Sequence, residues 1–160
     1  MNTEINTLTR QLNEIHHGLP YIGITYDQRL KGISEEDFFR RPLPAMNSLA
    51  EILTHVIVWR KAALAKIADG TFTKTHDDWK DLSELKPMGM DRILNDFNVT
   101  LERLAKVISE KNDAFLDTNY SDPDWQSEKT FRELLEGMLY HDLYHLGQIG
   151  IVLKYLKEVK

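Results

Sequence analysis

The chain has 160 residues, 42% of them hydrophobic and 28% charged, which is the size and composition of one globular domain spanning 1–160. Its formal net charge of −5 argues against a nucleic-acid partner, because a protein that neutralises phosphates needs a basic face. The absence of cysteine excludes disulfides and thiolate metal sites. No apolar run approaches the ~20 residues that cross a membrane, and the N-terminus lacks the layout of a signal peptide. We therefore expect no membrane partner and a cytoplasmic location.

Helical spacing of apolar residues begins near the N-terminus. The first predicted helix has one apolar face, formed by Ile5, Leu8, Leu12 and Ile15. The stretch 16–20, HHGLP, should end this helix because both Gly and Pro break helical structure. A second helical piece is expected over 22–30. Ser34, which three acidic residues follow, indicates the start of a short helical turn.

A capping box marks the start of the next helix. Ser48 and Glu51 have the spacing at which each side chain bonds to the other's backbone N–H, and the helix they open should end at Gly70. Residues 71–86 are polar and are predicted to form a long loop with about one helical turn. A further amphipathic helix is predicted from an apolar stripe made of Ile93, Leu94, Phe97, Leu101, Leu104, Val107 and Ile108.

The C-terminal part repeats this organisation. Residues 112–129 are predicted to be a loop, and Thr130 with Glu133 forms a second capping box. The last helix should run from there to about Lys157. The sequence contains no pattern typical of a β-strand. Four substantial helices with apolar faces predict an all-α protein folded as an antiparallel four-helix bundle.

Three of the six histidines occupy positions where a helical bundle normally places apolar side chains. His141 and His145 stand one turn apart in the apolar stripe of the last helix, so both imidazoles project from one face. His55 shares a stripe with Ile52 and Trp59 in the first capped helix and is predicted to face inward. Burying imidazoles costs free energy unless each has a partner, and a divalent ion would provide one.

Three neutral nitrogen ligands would leave at least one coordination position for water or substrate, as in catalytic zinc sites. Imidazole ligands suit Zn, Ni, Fe or Cu, and affinity order alone does not choose among them. We expect one divalent ion, Zn, Ni or Fe. The alternative is a bundle whose core histidines hydrogen-bond to one another and hold no metal.

Several neighbouring residues are candidates for roles around the site. Gln148 shares the face of His141 and His145, where it would orient a ligand, contact substrate or bond to another helix. Trp59 is expected in the core rather than as a wall against substrate. Arg60 is expected in a surface salt bridge rather than on an anionic ligand.

The remaining polar and aromatic candidates have plainer predictions. His16, His17 and His76 are predicted to be solvated, because they fall at a helix end and in a polar loop. Asp142 is predicted to be a carboxylate on the solvent side or one that supports a metal ligand. Three aromatic residues are predicted either to line a pocket mouth or to pack the loops down, namely Trp79, Tyr120 and Trp125.

Two segments resemble a known family. Residues 141–149, HDLYHLGQI, resemble the C-terminal signature of the DinB-like (YfiT-like) metalloenzyme superfamily. Residues 47–60, NSLAEILTHVIVWR, resemble its second-helix segment, in which a Trp follows a His by four residues. The resemblance implies a four-helix bundle, often a homodimer, with one divalent ion on His55, His141 and His145. Since characterised relatives include a mycothiol-dependent isomerase and bacillithiol transferases, it also implies a low-molecular-weight thiol and a small-molecule substrate.

Two functions therefore compete. The first is a metal-dependent enzyme of the S-transferase or isomerase type, in which the ion lowers the pKa of a bound thiol and presents the thiolate to an electrophile. The second is a non-catalytic metal-binding or stress-response bundle, which an occluded pocket above the ion would favour.

Overall fold

The computed structural model describes residues 2–158, so only residue 1 and residues 159 and 160 of the predicted 1–160 domain lie outside it. Among the described residues, the helices in chain order are α1 (Thr3–His17), α2 (Tyr26–Leu30), α3 (Glu35–Phe39), α4 (Leu49–Leu64), α5 (Leu82–Leu85), α6 (Met90–Ser109), α7 (Asp113–Leu116) and α8 (Phe131–Glu158). A π-helical turn, Ala65–Asp69, continues α4, and a 3₁₀ turn, Lys86–Met88, follows α5. Strands β1 (Asn119–Asp122) and β2 (Ser127–Thr130) form an antiparallel hairpin that pairs Asn119 with Thr130.

Each of the four long helices packs against two of the others. Helix α1 contacts α6 and α8, and α4 contacts the same two helices. The protein is thus mostly helical, as predicted, with one small sheet in its described part. Within residues 2–158, no helix combines the length and the apolar character needed to cross a bilayer.

The buried apolar side chains form two clusters, and the long helices contribute to both. In α4 one cluster extends to Ile57 and the other begins at Ala63; in α8 they are separated between Leu139 and Leu146. The segments of α4 and α8 that lie between the two clusters contain Arg60, Asp142 and His145, all of which are buried, and His55 lies close to the segment of α4. A polar layer therefore separates two apolar cores.

The predicted capping boxes form. The Ser48 N–H donates to Glu51 Oε2 at 2.8 Å, and the Glu51 N–H donates to Ser48 Oγ at 3.3 Å. At the start of α8 the Thr130 N–H donates to Glu133 Oε2 at 2.8 Å. Gly70 ends the π-helical turn with φ +63°, a left-handed conformation that glycine adopts without strain.

The predicted loop 71–86 contains the one helical turn expected there, which is α5. Two other predictions about local structure need correction. The helical piece expected over 22–30 contains only α2, because the capping box of Thr25 starts the helix there. The predicted loop 112–129 contains α7 and most of the hairpin. The hairpin lacks the usual sequence signal, since only Tyr120 and Asp122 of its residues are buried.

Candidate metal centre

The structure brings the three predicted histidines together. His55 projects from α4, and His141 and His145 project from neighbouring turns of α8. His141 Nε2 lies 3.1 Å from the Nε2 atoms of both His55 and His145. One candidate ligand atom from each of the three residues lies within 4.8 Å of those of the other two. The inward stripes read from the sequence therefore converge on one point.

Two of the three rings are held from behind by oxygen atoms. His55 Nδ1 lies 3.2 Å from the carbonyl oxygen of Asp78, and His145 Nδ1 lies 2.7 Å from Gln148 Oε1. Both oxygens accept hydrogen bonds only, so each Nδ1 carries the proton and donates it. In a neutral ring the opposite atom, Nε2, then has a free lone pair aimed at the centre of the cluster. This is how proteins orient imidazoles toward a metal.

The geometry also fits an ion better than a closed set of hydrogen bonds. His141 Nε2 has one proton at most while its ring is neutral, so it can donate to His55 or His145 but not to both. At least one of the two 3.1 Å contacts would then oppose two lone pairs. Two ligands at 2.0–2.1 Å from one ion and at the tetrahedral angle lie roughly 3.3 Å apart, close to the distances observed.

The cluster is prepared to bind an ion near neutral pH. Burial, reinforced by the neighbouring His141, lowers the pKa of His145 to about 4. The same two causes lower the pKa of His55, although the Asp78 carbonyl partly opposes them. Both rings are therefore neutral at pH 7, as a metal ligand must be.

His141 is the most exposed of the three histidines. The His141 side chain is 23% exposed, whereas that of His55 is 8% exposed. Trp79 from the loop after α4 stacks on the His55 ring, with centroids 4.1 Å apart and planes 16° apart. Trp79 is itself 42% exposed, so it forms a wall at the mouth of the site and does not seal it.

The other predicted neighbours have different positions. Gln148 bonds to His145 and, through its Nε2, to the hydroxyl of Tyr144 at 2.8 Å, so its partners lie within α8 and not on another helix. Trp59 is half-buried, and its indole N–H donates to Asp78 Oδ2 at 3.2 Å. Of the remaining loop aromatics, Tyr120 is buried and stacks on Phe131, which packs the hairpin against α8, and Trp125 is 69% exposed.

The predicted surface salt bridge of Arg60 is wrong. Arg60 is fully buried, and its Nη2 donates to Asp142 Oδ2 at 2.7 Å. Its Nη1 donates to the Phe97 carbonyl at 3.0 Å, and its guanidinium carbon lies 4.3 Å above the centre of the Phe97 ring. Asp142 is equally buried, so it is not on the solvent side. Arg60 is therefore engaged inside the protein and does not face the metal centre.

The predicted solvation of His16 is also wrong. This residue is fully buried, stacks on Tyr26 with centroids 4.5 Å apart, and lies 3.1 Å from Asp142 Oδ2. Burial first, and then the charge of Arg60, lower its pKa to about 4, so the ring is neutral. The sequence does carry a signal, since His16 follows Leu12 by four residues on the inward side of α1. His17 and His76 are exposed, as expected.

Comparison with known proteins agrees with the geometry. No curated protein sequence matches the chain significantly. The sequence profile described as the DinB superfamily matches residues 25–149, which include all three clustered histidines. Because this match covers most of the 160 residues, the chain belongs to the DinB superfamily.

Proposed function

We propose that this protein binds one divalent transition metal ion, Zn, Ni or Fe, through His55, His141 and His145. The observation that supports this most strongly is the orientation of the rings. Oxygen partners hold the Nδ1 atoms of His55 and His145. The Nε2 atoms of both rings lie 3.1 Å from His141 Nε2. Hydrogen bonds among the three rings cannot satisfy all of these nitrogen lone pairs, whereas one ion would accept all three.

We further propose that the site serves a metal-dependent enzyme of the S-transferase or isomerase type that uses a low-molecular-weight thiol. His55, His141 and His145 would hold the ion, and the chemistry that it would supply when bound is that of a Lewis acid, which lowers the pKa of a thiol and favours its nucleophilic form. The partial exposure of His141 supports this enzyme over the non-catalytic metal-binding or stress-response alternative, because small molecules have access there. The thiol, the substrate and the cytoplasmic location remain predictions.

Metal stoichiometry tests the site directly. We expect untagged wild-type protein to retain about one divalent ion per chain after dialysis, measured by elemental analysis, and His55→Ala, His141→Ala, His145→Ala together to retain none. His17→Ala with His76→Ala is the matched control, since both side chains are exposed and should not contribute. Equal metal content in the triple variant and the wild type would refute the ligand assignment.

A turnover screen separates the enzyme from the alternative. Zinc-, nickel- and iron-loaded protein would be mixed with thiols and electrophiles, and adduct formation would be followed by mass spectrometry. Metal-dependent turnover that the triple histidine variant lacks would support the enzyme. A loaded protein that turns over none of a broad panel would favour the non-catalytic bundle.

The pairwise helix packing supports an antiparallel four-helix bundle made of α1, α4, α6 and α8. The outer face of α8 supports a homodimer. Gly137 and Gly147 alternate there with exposed apolar side chains at steps of three and four residues, namely Tyr140, Tyr144 and Ile151. An exposed helical stripe of this kind suits packing against a second copy.

Light scattering tests the dimer. We expect the wild type to have twice the mass of one chain. The double variant Tyr140→Glu with Ile151→Glu should have the mass of one chain. Lys61→Glu on the exposed face of α4 is the control and should leave the mass unchanged. A wild-type monomer at micromolar concentration would contradict the proposal.

A further inference from the structure

We propose that Asp142 is a positioning residue for the metal centre, and that its free oxygen accepts a hydrogen bond from the Nδ1–H of His141. This inference rests on the proposed metal function and assigns His141 the partner that the other two histidines already have. Asp142 would thereby complete the set of acceptors that direct the three Nε2 atoms toward one ion.

The support begins with unsatisfied atoms. Within residues 2–158, three buried side-chain atoms have no hydrogen-bond partner, namely His16 Nδ1, His141 Nδ1 and Asp142 Oδ1. Two of them, His141 Nδ1 and Asp142 Oδ1, lie 3.9 Å apart. This distance is too long for a hydrogen bond. A buried donor and a buried acceptor that bond to nothing each destabilise the protein, so a hydrogen bond between them would be favourable.

The second support is that the other oxygen of Asp142 is fully engaged. Asp142 Oδ2 accepts from Arg60 Nη2 at 2.7 Å and from Arg60 Nε at 3.2 Å, and it lies 3.1 Å from His16. The Asp142 backbone is held as well, because the Tyr26 hydroxyl donates to its carbonyl oxygen at 2.7 Å. The carboxylate is therefore fixed with Oδ1 left for His141.

The third support is charge. Asp142 Oδ2 lies 2.7 Å from Arg60 Nη2, and both side chains are fully buried, so the carboxylate forms an ion pair inside the protein. An ionised carboxylate is the strongest acceptor available to an imidazole N–H. The pair of Arg60 and Asp142 would thus place a fixed negative charge behind His141 and increase the basicity of its Nε2.

The test must separate positioning from a structural role, since removing Asp142 alone leaves Arg60 as an isolated buried charge. Two double variants avoid this. Arg60→Met with Asp142→Asn removes both charges but keeps an amide oxygen for His141. Arg60→Met with Asp142→Leu removes both charges and the acceptor. Zinc affinity would be measured by competition with a chromogenic chelator, and the stability of the metal-free proteins by urea unfolding.

We expect the Leu variant to bind zinc 10–100-fold more weakly than the wild type, and the Asn variant to recover at least tenfold of that loss. Tyr26→Phe is the matched control, because it removes a buried hydrogen bond to Asp142 without touching the carboxylate. It should lower stability while zinc affinity stays within about threefold of the wild type. Equal affinities of the two double variants, or a loss in Tyr26→Phe as large as in the Leu variant, would overturn the inference.

A measurement on the wild type does not depend on the folding of any variant. Long-range ¹H–¹⁵N correlation spectra of the zinc-loaded protein should place the His141 proton on Nδ1 and show that it exchanges slowly with solvent. A proton that exchanges rapidly would refute the role of Asp142. A wild type that binds no zinc at all would refute the proposed metal function itself, which is a separate and recognisable outcome.

Discussion

At the scale of single residues, the partners of each imidazole decide what the cluster can do. Gln148 bonds to His145, and Asp78 bonds to His55 through its main chain. A side-chain partner can be removed by substitution, whereas a main-chain partner cannot. Gln148 is therefore the residue through which the orientation of a proposed ligand can be changed without altering the ligand itself.

Gln148→Leu should weaken zinc binding about 10–100-fold, because the Nδ1–H of His145 loses its acceptor and the ring is no longer fixed. Chelator competition at pH 7 measures this. Tyr144→Phe is the control, since it removes only the hydroxyl next to Gln148 and should change the affinity less than about threefold. If both variants bind like the wild type, Gln148 does not orient His145.

Buried His16 should make stability depend on pH. Its folded pKa of about 4 lies below the ordinary value of 6.5, so the unfolded chain binds more protons between these values. Stability is therefore complete above about pH 6.5 and falls as the pH decreases toward 4. At about 1.4 kcal/mol per pKa unit, His16 alone accounts for roughly 3 kcal/mol across this window.

His16→Leu tests this in the metal-free protein. Urea unfolding at pH 7 and pH 4.5 should show a smaller loss of stability in the variant than in the wild type. His55 and His145 contribute in the same direction, but they are unchanged in both proteins and cancel in the comparison. An identical pH dependence would show that His16 does not titrate as described.

The metal cluster was more accessible to sequence analysis than its surroundings. His141 and His145 interrupt an apolar stripe, so periodicity alone marks them. Arg60 and His16 belong to a buried charge cluster whose members come from three different helices, and no local pattern links them. For Arg60 the residue type alone predicts a position on the surface, because Arg is almost never fully buried unless it is paired.

At the scale of elements, the hairpin shows how polar residues can anchor a segment that has little apolar surface. Lys66 of the π-helical turn reaches Asp122 Oδ2 and Asp124 Oδ2, both at 3.0 Å. Asp124 Oδ1 in turn accepts from the Thr75 N–H at 2.6 Å. One buried lysine therefore joins the end of α4, the hairpin and the loop that continues to Trp79.

Lys66→Met should destabilise the protein by about 3–5 kcal/mol, because it leaves two buried carboxylates without their cation. Lys129→Met is the matched control. Lys129 pairs with Glu133 at the same distance of 3.0 Å but is partly exposed, so its loss should cost less than about 1 kcal/mol. Urea unfolding measures both. Similar costs would mean that burial of the Lys66 pairs contributes nothing to stability.

The helices were predictable where capping and periodicity coincide, as at Ser48 and Thr130. The hairpin was not, because strands of four residues with mostly exposed side chains carry no alternating apolar pattern. Its turn also lacks glycine, and Gln126 adopts φ +53° instead. Tertiary contacts of Lys66 hold this segment, and such contacts do not appear in a local reading of the sequence.

At the scale of the whole molecule, a bound ion would link α4 to α8 across 86 residues of sequence. Such a link is absent from the unfolded chain, so metal should stabilise the fold by mass action. Free zinc at 100 times its dissociation constant should add about 2.7 kcal/mol. Thermal unfolding with and without zinc measures this effect. Neither the triple histidine variant with zinc nor the wild type with magnesium should shift, and a shift in either would contradict binding at the three histidines.

The buried pair of Arg60 and Asp142 also has an evolutionary consequence. Losing either residue alone leaves an uncompensated charge in the interior, whereas losing both at once can be tolerated. A lineage that replaces these two residues one at a time therefore passes through a poorly stable protein with one unpaired buried charge. Across the superfamily, positions 60 and 142 should be kept together or exchanged together, and lineages that abandon the metal centre should be the ones that replace both with apolar residues.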